Sequence, residues 1–193
     1  MKKFELTAEF VTNVFGKKLF RIKALVAFGD VEKGELGGFI EKEDNLSHDG
    51  NAWVYGNARV FGNAQVYGNA RVSGDARVYG NAQVYGDARV SGNAQVSGDA
   101  RVSGNAQVSG DARVYDDADY AVVKGFGRCF RTTTFFRCKD KILRVQCGCF
   151  YGDLAQFREI VKKTHGDSKY AKEYLAIADL MELHFSDECG GEQ

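Results

Sequence analysis

The chain has 193 residues, of which 44% are hydrophobic and 12% aromatic, so it can bury a core as one domain or two small ones. Its 26 basic and 26 acidic residues leave no formal net charge, which argues against general nucleic-acid binding, because such proteins carry a basic excess. The first ten residues, MKKFELTAEF, lack the apolar run of a signal peptide, and no stretch is long enough to span a membrane. We therefore expect a cytoplasmic protein with reduced cysteines.

The first 43 residues are not repetitive and predict an N-terminal β cap. LFRIKAL, at 19–25, alternates in the manner of a half-buried strand, and FVTNVFGKKLF predicts a hairpin around residues 15–17. The turn-rich segment GDVEKGELGGFIEKEDNLS follows. Its neighbourhood, residues 30–49, holds seven acids and two lysines.

From Gly50 to Tyr115 the chain consists of eleven consecutive hexads of the form G-[N/D]-A-x-V-[Y/F/S]. Six residues make about 1.7 helical turns, so an α-helix would spread the valines over all its sides. In a strand, Ala and Val are two positions apart and point to the same, inner side. Glycine with Asn or Asp suits the corner between strands, since both tolerate positive φ. The pattern predicts a coil with flat sides, which ends in degenerate repeats at 44–49 and 116–121.

The outward positions of the hexads follow two rules. Asp–Ala–Arg alternates with Asn–Ala–Gln, which we interpret as a pattern that avoids like charges on neighbouring coils. Outward aromatic and arginine side chains are candidate interface anchors, although stacked tyrosines also fit an ordinary sheet surface. The candidates are Trp53, Tyr55, Arg59, Phe61, Tyr67, Arg77, Tyr79 and Tyr85.

Residues 120–193 predict an α+β domain of two strands and two helices. TTTFFRC and KILRVQCGCFYG are the strands, and Asp153 with Gln156 forms a capping-box signal for a helix over 154–164. A second helix is predicted over 168–185. Its apolar stripe is either core or an oligomer seam, and consists of Tyr170, Tyr174, Ile177 and Met181.

A basic segment with interleaved phenylalanines runs from 124 to 144, with seven basic residues and one acid. Arginine combined with aromatic rings can hold phosphates and stack bases. The alternatives are strands with phenylalanine inward and arginine solvated, or a basic end that meets the acidic cap of another subunit. The candidate ligand-binding residues are Arg128, Phe130, Arg131, Arg137, Lys139, Lys141 and Arg144.

The cysteines and histidines do not predict a metal site. Cys129, Cys138, Cys147 and Cys149 are spaced C-x8-C-x8-C-x-C, unlike the C-x2-C pairs of zinc ribbons, and fit better as small buried residues. His165 precedes Gly166, where a helix-end histidine is favoured by the helix dipole. We expect no metal and no cofactor.

The hexads resemble the hexapeptide-repeat family, whose left-handed parallel β-helix takes three hexads per triangular coil. Val60 with Ala58 and Val78 with Ala76 carry the resemblance. It implies a mainly β protein: a left-handed parallel β-helix over 44–119, with an N-terminal β cap over 1–43 and a C-terminal α+β domain over 120–193. It also implies a homo-oligomer, by family analogy a trimer.

Many proteins of this family are acyltransferases, with a histidine base and coenzyme A held between subunits, and a related branch binds zinc through several histidines. This chain has no histidine between 50 and 164, and no loop interrupts its hexads. We therefore expect no catalytic residues and no enzymatic activity. An acyltransferase-like protein, with His165 or His48 supplied across a subunit interface, remains an alternative.

Both flanks, in segments such as LFRIKALVAFGDVEKGELGGFIEKEDNLSHDG and CGCFYGDLAQF, resemble proteins of bacteriophages and prophages. This implies a non-catalytic phage-type binding protein of the bacterial cytoplasm. Such a protein would inhibit bacterial immunity by binding a host protein or by sequestering an anionic nucleotide-like ligand. The other alternative is a purely structural scaffold. We expect neither a membrane nor nucleic acid in general as a partner.

Overall fold

The computed structural model describes residues 1–186. The first two strands form an antiparallel hairpin. Strand β1 (Phe4–Thr12) pairs with β2 (Lys18–Ala24) around a turn in which Gly16 has φ +77°. Strand β3 (Leu36–Ile40) pairs antiparallel with β2 and then parallel with the repeat, through Phe39 opposite Arg59. The parallel stacking of coils therefore begins at β3, within residues 1–43, which the sequence predicted as the N-terminal cap. The domain boundary at residue 43 stays a prediction.

Each hexad forms one two-residue strand on its x–Val pair, followed by a turn at Gly and Asn or Asp. The eleven strands are β4 (Trp53–Val54), β5 (Arg59–Val60), β6 (Gln65–Val66), β7 (Arg71–Val72), β8 (Arg77–Val78), β9 (Gln83–Val84), β10 (Arg89–Val90), β11 (Gln95–Val96), β12 (Arg101–Val102), β13 (Gln107–Val108) and β14 (Arg113–Val114).

Strands three hexads apart stack in parallel and give a solenoid of about four turns with three faces. The first face has the order β3-β5-β8-β11-β14, the second β4-β7-β10-β13 and the third β6-β9-β12. Main-chain hydrogen bonds join the coils, as where the Tyr79 N–H donates to the Val96 carbonyl at 3.0 Å. The predicted repeat fold is confirmed, and its left hand stays a prediction.

The solenoid interior consists of the Ala and Val columns, all fully buried. Each buried valine contributes on the order of 1.5–3 kcal/mol. The corner glycines have φ between +60° and +73° and stack closely on one another. A Cβ at Gly80 would lie 2.9 Å from the Gly98 nitrogen, so this corner requires glycine both for conformation and for space.

The outward polar residues alternate from one coil to the next. The two kinds of hexad alternate along the sequence, and one coil takes three hexads, so a hexad of one kind stacks on a hexad of the other kind. Gln95 lies between Arg77 and Arg113, and the Asn81 amide donates to the Asp99 carboxylate at 3.0 Å. The predicted separation of like charges holds there. It is wrong in the first coils, where Arg59 lies opposite Arg77 and Arg71 opposite Arg89, because the early hexads do not yet alternate.

The C-terminal segment has four antiparallel strands where the sequence predicted two. They are β15 (Tyr120–Phe126), β16 (Arg131–Arg137), β17 (Leu143–Cys147) and β18 (Phe150–Asp153), paired in that order. The stretch predicted as one strand, KILRVQCGCFYG, is a hairpin because Gly148, at φ +59°, turns the chain between β17 and β18. Strand β15 contains Gly125 and has an irregular register, which weakens its sequence signal.

Two helices, α1 (Leu154–His165) and α2 (Lys169–His184), pack against this sheet. The Asp153 carboxylate accepts from the Gln156 N–H at 2.8 Å, and the Gln156 side chain accepts from the Asp153 N–H at 3.0 Å. This is the predicted capping box. No helix among residues 1–186 is long and apolar enough to cross a membrane.

The apolar stripe of α2 belongs to the core of the C-terminal segment. Tyr174, Ile177 and Met181 are buried with Phe135 and Phe157. Of the two alternatives for this stripe, the core is the observed one. These three side chains are covered within the chain, and of the four stripe residues only Tyr170 remains exposed, so any role of the stripe in a subunit interface stays a prediction.

The C-terminal sheet closes the end of the solenoid. Phe136 and Cys138, at the end of β16, are buried in the same core as the Ala and Val columns. The Gln107 N–H donates to the Thr134 hydroxyl at 3.0 Å, and the Lys139 N–H donates to the Asp111 carbonyl at 3.1 Å. The last coil is thus covered by β16 and presents no bare edge there.

Candidate ligand-binding cleft in the C-terminal segment

A cleft of about 400 Å³ lies where the turn before β16 and the β17–β18 hairpin face the two helices. Its floor is aromatic and aliphatic, and its polar groups are guanidinium, thiol, hydroxyl and imidazole. We call it the C-terminal cleft. It is lined by Arg128, Cys129, Arg131, Cys147, Cys149, Phe150, Phe157, Ile160, Val161, Thr164, His165 and Tyr174.

The turn at 127–130 places the two arginines. Gly127 has φ +70°, and its N–H donates to the Glu173 carboxylate at 2.9 Å, which ties the turn to α2. A Cβ at this position would collide with the Tyr174 ring. A Cβ at Gly148 would likewise meet the Arg131 guanidinium, so Arg131 lies across the hairpin turn. Two glycines therefore leave the room that Tyr174 and Arg131 occupy.

The floor is built around Phe157, whose ring centroid lies 5.6 Å from that of Phe150 and 5.7 Å from that of Tyr174. The Tyr174 hydroxyl donates to the Phe126 carbonyl at 3.3 Å. Burial, with the Cys147 thiol nearby, raises the pKa of Tyr174 to about 12. The phenol is therefore neutral at physiological pH and brings no negative charge into the cleft.

His165 and three cysteines complete the lining. The His165 ring stacks on Tyr174 at 5.9 Å between centroids and lies at the end of α1, as its position before Gly166 predicted. The Cys147 sulfur accepts from the Thr133 hydroxyl at 3.2 Å. Among the described residues, no three His, Cys, Asp or Glu side chains are placed to share a metal ion.

The charges of the cleft define what it can bind. Two guanidinium groups and an imidazole line the cleft together with several aromatic rings. Among residues 1–186, no carboxylate lines it. Arginine pairs with phosphate or carboxylate through short, charge-assisted hydrogen bonds. The arrangement suits an anion that carries a flat or apolar part.

The structure separates the seven predicted ligand-binding residues. Arg128 and Arg131 line the C-terminal cleft, and Phe130 lies in the same turn with a 66% exposed side chain. Arg137 is elsewhere, with its guanidinium over the Phe185 ring at 5.7 Å and 3.7 Å from the Asp119 carboxylate. The seven candidates therefore do not line one cleft, and their role in ligand binding stays a prediction.

The remaining three predicted ligands lie near the turn between β16 and β17. Lys139 and Arg144 line a second depression with Asp140, and Arg144 donates to the Asp140 carboxylate at 2.8 Å. Lys141 is exposed in the turn itself, with φ +62°. Asp111 and Asp140 line the same depression and balance Lys139 and Arg144, so it lacks the positive excess of the C-terminal cleft.

The predicted interface anchors on the solenoid also divide. Trp53 is fully buried beneath Phe4 and Phe28, and Phe61 is buried against Leu19. Their assignment as exposed anchors is wrong, because the N-terminal hairpin and the loop after it cover the first coils. Partly exposed solenoid anchors remain, namely Tyr55, Arg59, Tyr67, Arg77, Tyr79 and Tyr85.

Sequence reasoning missed the rest of the cleft lining. Cys129, Cys147, Cys149 and His165 were assigned structural roles, and Tyr174 was assigned to a helix stripe. The available signal was the glycine spacing, since Gly127 and Gly148 mark two turns that can approach one another. Their meeting at α2 depends on tertiary packing that no local pattern encodes.

Comparison with known families concerns the repeat. A family model described as YdcK Beta solenoid repeat matches residues 52–65, 64–80, 70–86, 82–98, 94–109 and 106–118. The repeat is a β-solenoid. Together the matches cover about a third of the chain and neither flank. No curated protein sequence matches the chain.

Proposed function

We propose that this β-solenoid protein is a non-catalytic binding protein, and that its C-terminal cleft holds a small anionic, nucleotide-like ligand. The observation that carries the proposal is that Arg128 and Arg131 line the same cleft as the rings of Phe150, Phe157 and Tyr174. Phosphate groups suit the guanidinium pair, and a base suits the floor of Phe150 and Phe157.

The proposed biological role is sequestration. The resemblance of the flanks to phage and prophage proteins supports an inhibitor of bacterial immunity that acts in the host cytoplasm, as a homo-oligomer. Binding without turnover is sufficient for this role, because a bound signal no longer reaches its receptor. Binding to a host protein is the second route to the same end.

The surroundings of the histidines support a binding role over a catalytic one. Within the part of the chain that the structure describes, no carboxylate lines the C-terminal cleft beside His165, whereas a general-base histidine is ordinarily oriented by such a group. His48 does lie near a carboxylate, with its Nε2 3.6 Å from Glu43. Its Nδ1, however, accepts from the Lys3 N–H at 3.2 Å, and its ring stacks on Phe4 at 4.3 Å, so both ring nitrogens have partners within the N-terminal cap. Saturable turnover of an acyl-CoA by the pure protein would contradict the proposal.

The test is calorimetric titration of the full chain with a panel of cyclic mono- and dinucleotides. Hydrogen bonds to charged groups contribute about 1.5–3 kcal/mol each. Arg128→Gln with Arg131→Gln should therefore weaken binding by at least ~10-fold. Arg89→Gln, an exposed arginine of the solenoid, is the matched control and should leave the affinity unchanged.

Two results would overturn this function for the cleft. One is that no member of the panel binds, in which case a protein target is the next candidate. The other is that a nucleotide binds with equal affinity to the wild type and to the double variant.

A further inference from the structure

The third face of the solenoid, β6-β9-β12, carries an aromatic ladder that stops one coil early. The rings of Tyr67 and Tyr85 are stacked, with centroids 4.9 Å apart and planes within 1° of parallel. In the next coil Ser103 takes the same position, since the Tyr85 N–H donates to the Val102 carbonyl at 3.0 Å. Ser103 therefore contributes no ring at the position that follows Tyr85, and the Tyr120 hydroxyl lies within hydrogen-bonding reach of Ser103.

A cleft of about 510 Å³ opens at this end of the ladder. We call it the ladder-end cleft. Tyr85 and Ser103 lie on its solenoid side, and Asp117 and Tyr120 on the side of the chain that leaves the last coil. The Tyr120 hydroxyl donates to the Arg101 carbonyl at 2.5 Å, and the Asp117 carboxylate accepts from the Arg101 N–H at 2.7 Å. These bonds fix the second wall against the coil.

The neighbouring face shows that the space is particular to this ladder. There, Phe61 and Tyr79 stack at 5.0 Å, and Ser97 follows in the next coil. Ser97 is only 2% exposed because a further coil, which carries Tyr115, stacks on it, whereas the third face ends at β12. Ser103 is half-buried and lines an open cleft.

We infer that the ladder-end cleft binds a flat nitrogen heterocycle of the nucleobase class, which continues the stack of Tyr67 and Tyr85. Coils repeat at about 4.8 Å, close to the separation of the two rings, so a planar ligand above Ser103 takes the next step of the ladder. Bases stack on tyrosine without regard to sequence. Asn105, Asp117 and Arg101 supply acceptors and donors for the edges of the heterocycle.

This site is independent of the proposed function. The ladder-end cleft and the C-terminal cleft share no lining residue. The two can therefore be disabled separately, and the failure of one proposal leaves the other standing.

The probe is adenosine 5′-monophosphate, with ribose 5-phosphate as the matched compound that lacks the ring. Wild-type protein is titrated with each, and the tyrosine ring signals are followed by aromatic carbon–proton NMR, with Tyr85 assigned from Tyr85→Phe. The nucleotide should shift the Tyr85 signals upfield through its ring current, and ribose 5-phosphate should leave them unchanged. No Tyr85 shift with the nucleotide, or equal shifts with both compounds, would overturn the inference.

Variants separate this cleft from the other. Ser103→Tyr extends the ladder into the cleft and should weaken the nucleotide response at least ~10-fold, because stacking provides that much affinity. Ser73→Tyr, the matched control, adds a ring beside Tyr55 on another face and should leave the Tyr85 response intact. Arg128→Gln with Arg131→Gln should also leave it intact.

If Ser103→Tyr does not fold, as judged by circular dichroism, Tyr85→Leu removes the platform instead. Binding is then followed through the shifts of the nucleotide's own base protons, with Arg128→Gln and Arg131→Gln present in both proteins so that the C-terminal cleft does not contribute. Unchanged affinity in the folded variant would overturn the inference.

Discussion

The corner glycines differ from one another at the scale of single residues. Gly80 and Gly104 share a left-handed backbone, with φ +73° and +62°, but differ in their surroundings. A Cβ at Gly80 would lie 2.9 Å from the Gly98 nitrogen, whereas nothing lies within 4 Å of one at Gly104. Substitution of Gly104 therefore tests the conformational requirement alone, and substitution of Gly80 tests conformation and packing together.

We predict that Gly104→Ala lowers the free energy of unfolding by about 1–2 kcal/mol, the cost of a left-handed backbone with a side chain. Gly80→Ala should cost more, about 3 kcal/mol or above, because the next coil must also move. Denaturant titration of both variants gives the comparison. Equal losses would mean that contact between coils does not require glycine.

Lys3 is the buried cation at the N-terminal end, with an exposed fraction of only 3%. Its Nζ donates to the Ala52 carbonyl at 2.9 Å and lies 4.7 Å from the centroid of the Phe28 ring. Burial lowers the pKa of Lys3 from 10.5 to about 8, against the smaller opposing effect of Asp49. The folded protein therefore releases this proton at a lower pH than the unfolded chain does.

Because the unfolded chain binds more protons between pH 8 and 10, Lys3 should raise the free energy of unfolding as pH increases over that range. The expected rise from this residue is about 2 kcal/mol. The difference in pH dependence between wild type and Lys3→Met isolates it from the tyrosines, and the exposed Lys2→Met is the control. Identical profiles for wild type and Lys3→Met would contradict the shift.

The stacked polar ladder is the characteristic feature at the scale of elements. Asn63 donates to Asn81 at 3.2 Å, and Asn81 donates to Asp99 at 3.0 Å, so one column passes from amide to carboxylate. Asn81→Asp would place two carboxylates side by side and remove a donor. Asn63→Asp would place its new charge beside a neutral amide.

We predict that Asn81→Asp lowers the free energy of unfolding by about 1 kcal/mol, and that Asn63→Asp has a smaller effect. High salt should shrink the difference between the variants, since it screens exposed charges. Denaturation at low and at 1 M salt measures both effects. Equal, salt-independent losses would show that repulsion along the column is negligible.

Strands whose sequence signal lies within a few neighbouring residues could be predicted, and features that depend on distant residues could not. The hexads carry their strand, corner and inward positions within six residues, so all eleven strands were predictable. In β3, Gly37 and Gly38 let the backbone approach the next coil, and no repeat word marks the strand. Trp53 was misjudged because its cover, Phe4 and Phe28, comes from distant sequence.

The same limit applies to the candidate cleft. Arg128 and Arg131 were found because charge and aromatic residues cluster there in the sequence. Arg137 lies elsewhere because it is at the opposite end of β16 from Arg131, six residues along the strand, and Lys139 lies in the turn beyond that end. His165 and Cys147 join the cleft through the packing of α1 on the sheet, which spacing alone does not determine.

At the scale of the whole molecule, Phe136 links the C-terminal sheet to the solenoid core. The sole tryptophan, Trp53, lies in the first full coil, whereas both helices belong to the C-terminal segment. Tryptophan fluorescence and helical circular dichroism therefore report on opposite ends of the structure. If the shared core couples the two ends, the fluorescence and the circular dichroism should change at the same denaturant concentration.

We predict coincident unfolding transitions by the two probes. Phe136→Ala should lower the free energy of unfolding by about 3–5 kcal/mol, as for other buried phenylalanines. Phe130→Ala, exposed in its turn, should cost less than about 0.5 kcal/mol. Two separate transitions in the wild type would show that the segments fold independently.

The central claim is that the protein holds a small anionic ligand without transforming it. Native mass spectrometry of the full chain, purified rapidly from bacterial cells, tests it most directly because it reports subunit number and retained ligand together. We predict an added mass of a few hundred daltons per site, absent from Arg128→Gln with Arg131→Gln and present in Arg89→Gln. A bare oligomer would contradict the account, and so would a double variant that retains the same added mass at the same occupancy as the wild type.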